Sequence, residues 1–167
     1  GINPQTGLFT YKDLNNDGRI TFPDDRQTVI NLNPKYYGGV QNQLSYKRLK
    51  LDFLFQFVKQ NALDYYIGYA GQMLNQPERF AESLPNSGEN PNYQIYTTGT
   101  NSAAVTADFQ YNQSTGAVTD ASFIRLKNLS LTYELPIAIK NTGCRIFIQG
   151  QNLLTYSSYQ DGDPESI

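Results

Sequence analysis

The residues with the clearest chemical spacing are Asp13, Asn15 and Asp17, set at alternate positions ahead of Gly18. Continuing through Arg19, Thr21 and Asp24, the stretch is a twelve-position loop of the kind that cradles a calcium ion between helices. A hard cation wants oxygens, and Asp13, Asn15 and Asp17 can turn theirs toward one centre. Gly18 permits the sharp turn at the sixth position, Arg19 offers a backbone carbonyl, and Thr21 can ligate directly or through water. Asp24 closes the loop with a shorter arm than the usual bidentate Glu, and Ile20 points inward as an apolar anchor. The expected ion is Ca²⁺, with Mg²⁺ left open. The bland alternative is a solvated Asx/Gly turn. Helical flanks are not expected, since neither Gly7–Lys12 nor the Pro23-Asp24-Asp25 turn and the Thr28-Val29-Ile30 stretch after it has a 3.6-residue period.

A second candidate group is aromatic. Tyr65, Tyr66, Tyr69, Tyr93, Tyr96, Tyr156 and Tyr159 fall in polar stretches where their rings could stack on sugars. An aromatic girdle or plain loop packing explains the same residues. Catalysis has little to stand on. The 167-residue chain has no His, so Ser-His-Asp, Cys-His and His–metal chemistry are excluded. The acid pairs Asp24/Asp25 and Asp161/Asp163 fit solvated turns better than a glycosidase site. Only Cys144 is present, which excludes an internal disulfide framework and reads as an inert strand residue. A net charge of −2 excludes a strongly basic nucleic-acid surface, so no nucleic-acid partner is expected. An enzyme is not expected.

The elements that must position these groups are strands. Thirteen Tyr and nine Phe with only 17% charged residues give a β-rich profile. No apolar run is long enough for a membrane helix, which says nothing about strands. Residues 1–35 form a lead-in and the metal-type loop. From 36 to 46, Val40, Leu44 and Tyr46 share one side, broken by Asn42. From 49 to 58, Leu49, Leu51, Phe53, Phe55 and Phe57 alternate with Lys50, Asp52, Leu54, Gln56 and Val58. Two further strands are expected over 123–135, with Leu129, Leu131 and Tyr133 in phase, and over 144–154, with Ile146 and Ile148. By the same parity Arg125 and Lys127 share the Leu129 side, where they would contact a loop or an interface. Pro136–Gly143 reads as a turn. Residues 60–120 read as one long polar loop without strong elements, except for a short helix over Glu78–Leu84.

Pattern alone leaves two folds open. Alternating strands suit a soluble β-sandwich, here a secreted, calcium-stabilised domain that binds carbohydrate. They also suit part of a transmembrane barrel, but membrane strands give a weaker signal per segment, so pattern alone favours the sandwich. In the barrel case the short turns lie on the periplasmic side, and loop 60–120, the metal-type loop and the last Tyr-rich loop lie outside.

The order of motifs bears on that choice. The chain resembles the C-terminal part of SusC/RagA-type TonB-linked outer-membrane proteins. The matching pieces are Tyr11–Ile20, Asn31–Tyr36 followed by Gly38-Gly39, the Leu49–Phe57 row, Ala121–Pro136, and Gly150–Thr155 with Asp163-Pro164-Glu165 after it. The resemblance implies an all-β fold: antiparallel amphipathic strands, residues 36–167, forming part of a large outer-membrane β-barrel with long extracellular loops. It implies import of glycan or peptide nutrients across the outer membrane of a Gram-negative bacterium. The partners it implies are the TonB system, a SusD-like surface lipoprotein, outer-membrane lipid and an oligosaccharide or peptide substrate. Four or five strands are too few to close a barrel, whose smallest form has about eight, so a fragment or truncated relative is expected.

Overall fold

A computed structural model describes residues 1–64, 93–95, 97–139, 142–159 and 162–166. They divide into two compact units, each built from two stretches of sequence: residues 1–31 with 63–119, and residues 32–62 with 120–167. The expected Glu78–Leu84 helix lies outside the described residues.

The second unit is an open antiparallel sheet of four long strands, β1 (Tyr36–Tyr46), β2 (Leu49–Lys59), β5 (Phe123–Ile139) and β6 (Thr142–Ser157), in the order β1-β2-β5-β6. The short strands β3 (Asn61–Leu63) and β4 (Val118–Asp120) pair separately, and within them the chain passes between the units. The period-two rows predict the long strands, and the register explains why. Directly opposed residues share a face, so Leu44, Leu51, Leu131 and Ile148 form one row across all four strands. The next row back holds Asn42, Phe53, Leu129 and Gly150. Gly150 leaves room there for the Leu153 side chain, which would have to shift if a Cβ were added 2.6 Å from it.

No second sheet covers this apolar face among the described residues. Ile148 is 71% exposed and Leu154 68%. A sandwich would bury such a row in its core, so the soluble-sandwich alternative is not favoured.

Three expectations are corrected. First, Pro136–Gly143 is not simply a turn. β5 runs on to Ile139, with Ala138 opposite Gly143 and Ile139 opposite Thr142. Pro136 is tolerated because it falls inside the register shift between Glu134 and Ala138, where no ladder N–H is needed.

Second, Arg125 is not on the Leu129 side. Leu54 faces Asn128 and Phe55 faces Leu126, so Lys127 is an extra bulged residue and parity inverts before it. Leu126 and Ile124 take the apolar face, and Arg125 takes the opposite one. β6 follows with its own irregularity, Asn152 at φ 52°, a conformation asparagine tolerates better than most residues.

Third, residues 60–120 carry more structure than a polar loop. Besides β3 and β4 they hold helix α1 (Ser102–Tyr111). Asn101 caps it, its side chain accepting from Ala103 and Ala104 N–H. The helix buries Ala104, Ala107, Asp108 and Tyr111, an i, i+3, i+4, i+7 stripe. That stripe packs into the core of the first unit, where Phe9 stacks on Tyr111 at 4.5 Å between ring centroids.

Candidate functional site

Two surfaces on the sheet differ in chemistry. On one face, tyrosines mark both ends of an apolar band. Tyr46 and Tyr133 flank Leu49 at the hairpin end, while Tyr36 and Tyr156 stand at the far end. Tyr36 and Tyr46 are ten residues apart, about 34 Å along the strand at ~3.4 Å per residue; at the ~40° tilt general to barrel strands this projects to about 26 Å along the barrel axis. That matches the roughly 25 Å band of a membrane barrel with its aromatic girdles.

The other face is polar. Rows such as Gln43, Asp52, Ser130 and Gln149 run across it, and Lys50 pairs with Glu134 at 2.8 Å. Both of those side chains are half-exposed, so solvent screening leaves the pair little weight in stability.

At the far end of the polar face sits Arg125, only 4% exposed. Its guanidinium donates from Nη1 to Glu165 Oε2 at 2.6 Å and from Nη2 to Asp163 Oδ1. Lys127, displaced by the bulge, donates to both oxygens of Glu165 at 2.5 and 2.7 Å. Gln60 Nε2 donates to the Pro164 carbonyl at 2.7 Å, and the Arg125 guanidinium lies 5.3 Å from the Phe123 ring centroid. The Arg125 guanidinium holds the Asp163 carboxyl below the usual carboxylate range, helped by the Glu165 amide. The sequence reading places Arg125 against a loop, but on the wrong face. Nothing local in sequence links it to residues 38 and 40 positions later.

A further tie holds the start of β5. Asp120 accepts from Lys59 Nζ at 2.6 Å and from the Ser122 amide at 2.9 Å, as well as from the Ser122 hydroxyl. Lys59 and then Ser122 pull the Asp120 carboxyl down to about 2. A depressed carboxyl stabilises the fold above its unfolded pKa near 3.9 and loses that contribution as pH falls toward 2.

The metal-type loop lies in the other unit. Its Asp13 carboxylate accepts from the amides of Asn16 (2.7 Å) and Gly18 (2.8 Å), and Asp17 accepts from Arg19 N–H at 2.8 Å. Gly18 has φ 81° with open space around it, so the backbone turn alone calls for glycine, as the spacing predicts. Asn15 Oδ1 accepts from the Asp17 amide at 3.1 Å. Asp24 engages through its backbone carbonyl, which accepts from Gln27 Nε2 at 2.8 Å.

The carboxylate that ties the loop closed is Asp25, which lies one position beyond the twelve-residue ligand spacing. It accepts from the Leu14 amide at 2.7 Å and the Thr21 amide at 2.8 Å. The Thr21 amide first and the Leu14 amide second hold its carboxyl below the ordinary value. The loop's oxygens bond its own amides. Among the described residues no three His, Cys, Asp or Glu side chains converge as a metal cluster.

The candidate tyrosines scatter. Tyr156 stands on the apolar face of β6, 81% exposed, whereas Tyr159 is buried with Ala62 and Ala121. Tyr93 lines a cleft of about 530 Å³ in the first unit with Phe9, Tyr11, Asp64 and Tyr111. Burial, then the nearby Asp108, raises the Tyr11 hydroxyl well above its ordinary value, and it donates to the Ala107 carbonyl at 2.5 Å. Tyr65, Tyr66, Tyr69 and Tyr96 lie outside the described residues.

An open amphipathic sheet with a tyrosine-bounded apolar band has the form of a piece of barrel wall. Known proteins place it more narrowly. No protein-family model matches the chain. It is 32% identical to TonB-dependent receptor P26 of Formosa agariphila across 98% of its length, and 27% identical to TonB-dependent receptor P3 of that organism across 93%. The chain spans 17% and 15% of those relatives' lengths. It also superposes on the RagAB peptide importer in its "open-open" state with a TM-score of 0.68 at 27% identity, covering 99% of this chain and 19% of that one. The "closed-closed" state of that importer gives 0.67. The chain has the sequence and fold of a segment of a TonB-dependent receptor. Its type is SusC/RagA.

Proposed function

We propose that this chain forms part of the barrel wall of a TonB-driven importer in a Gram-negative outer membrane, corresponding to the C-terminal region of the barrel. The importer takes up peptide or oligosaccharide nutrients, with a SusD-type surface lipoprotein at its mouth. The observation that carries this reading is the two-faced sheet, apolar between two tyrosine rows and polar behind, in a chain that matches a peptide importer along 99% of its length. The apolar face then meets lipid and the polar face lines the lumen. The test is deletion of the full-length gene, followed by uptake of labelled oligopeptides and oligosaccharides. Loss of one class, restored by the intact gene, supports the reading and names the substrate. Undiminished uptake of both classes contradicts it.

The 13–24 loop is proposed as a Ca²⁺ site on the chemistry of its donors. Asp13, Asn15, Asp17, Thr21, the Arg19 carbonyl and Asp24 offer the hard oxygens that calcium takes. Each carboxylate oxygen that now accepts one amide retains a second lone-pair position. The short ties from Asp25 hold the turn in place around them. Calcium would screen the loop's clustered negative charge, a structural role. Titrating the full-length receptor with Ca²⁺ and Mg²⁺ in parallel, Asp13→Ala is expected to weaken binding at least tenfold. Equal binding by the variant removes the site.

A further inference from the structure

A guanidinium buried to 4% exposure requires counter-charge, since leaving it unpaired in a poorly hydrated place is costly. The row that holds Arg125 offers none: its neighbours across the sheet are Gln56 on β2 and Thr155 on β6. Both carboxylates that reach it come from beyond β6, and they arrive as a pair. Asp163 takes one nitrogen and Glu165 another, while Glu165 also spans Lys127. Between them Pro164 is buried, its carbonyl held by Gln60. The Glu165 amide bonds Asp163 Oδ1 at 3.0 Å, which fixes the two acids at the spacing of the guanidinium. Two cations meet two carboxylates, so the cluster is neutral. The bulge matters as much as the charges. Without the extra residue at Lys127, Arg125 would lie on the apolar face, out of reach of both acids.

We propose that Arg125 is a positioning residue, a two-pronged latch that lays residues 162–166 against the polar face of the sheet and makes them part of its lining. Which face is the lumen rests on the function proposed above; the latch itself does not. The bulge and the Asp163-Pro164-Glu165 stretch are then two halves of one device, which sets the path of the chain after β6.

The test uses the full-length receptor in outer membranes with the exposed Cys144 replaced (Cys144→Ser), and spin labels at Gln149 on the polar face and at Ser166. The expected distance distribution is narrow. Arg125→Met should broaden it at least twofold, Asp163→Asn with Glu165→Gln should broaden it equally, and the triple variant should add nothing. Arg125→Lys, which keeps the charge and loses the fork, should recover part of the narrowing. If Arg125→Met does not assemble, the half-exposed Asp163 and Glu165 pair decides the matter alone. An unchanged distribution in either variant, or additive broadening in the triple, overturns the latch. Failed nutrient uptake with a narrow distribution would instead count against the proposed function and leave the latch standing.

Discussion

Replacing Leu51 with Arg is expected to reduce assembly of the full-length receptor in the outer membrane. Leu51 sits in the row Leu44, Leu51, Leu131 and Ile148, inside the band bounded by tyrosines, with Leu131 and Ile148 themselves exposed. A cation on the lipid face costs about 2–4 kcal/mol at the midplane of a barrel and progressively less toward the interfaces. Whole-domain stability is commonly about 5–15 kcal/mol, and Leu51 lies just inside the Tyr46–Leu49–Tyr133 row, so the change takes a part of it and not the whole. The neighbouring Lys50, one residue away on the opposite face, supplies the control. Lys50→Gln should assemble normally, because its surroundings are polar and its pair with Glu134 is half-exposed. The measurement is the fraction of receptor that runs as a folded band in unheated gels of outer membranes. Leu51→Arg at the wild-type level would mean that this face does not meet lipid.

The second large effect lies in the other unit. Gln94 is 2% exposed, and its side chain bridges two backbone groups far apart in sequence. Its Oε1 accepts from the Phe9 amide at 3.3 Å, and its Nε2 donates to the Ala104 carbonyl at 2.9 Å. Gln94→Ala leaves the Phe9 N–H buried without an acceptor and opens a cavity. The Ala104 carbonyl suffers less, having a second lone pair for its helix. An orphaned buried donor costs about 1–3 kcal/mol and the lost packing adds about 1 kcal/mol, so roughly 2–4 kcal/mol in all. Amide exchange at Phe9 and along α1 in the full-length receptor should then accelerate about 30- to 1000-fold. Gln94→Met, which keeps the volume, should recover only the packing part. Acceleration below threefold would show that Gln94 does not tie Phe9 to α1.

The strands were legible because period-two alternation survives in any sheet with two unlike faces. Leu49 to Phe57 read correctly from sequence, and so did the start of β1. What parity could not carry was the bulge. A one-residue insertion at Lys127 leaves no compositional mark, yet it moves Arg125 from the apolar face to the polar one. Pro136 misled for a related reason. Read by itself it stops a strand, but the register shift around it removes the need for its missing N–H. Helix α1 was hidden by its polar setting, although Asn101 as a cap and the stripe at 104, 107, 108 and 111 were both available signals. The turn at Gly18 was legible from its position in the spacing. The role of Asp25 was not, because closing a loop through amides depends on the path of the chain and not on ligand spacing.

The central claim is that one face of this sheet meets lipid and the other meets water, and spin labels at adjacent residues of β5 test it most directly. A label at Leu131 should be relaxed efficiently by oxygen and poorly by an aqueous nickel complex, and a label at Ser130 should show the reverse. The account predicts that this contrast inverts residue by residue from 129 to 133 and loses its alternation only at the bulge. Aqueous accessibility at both positions, or the opposite phase, would contradict it.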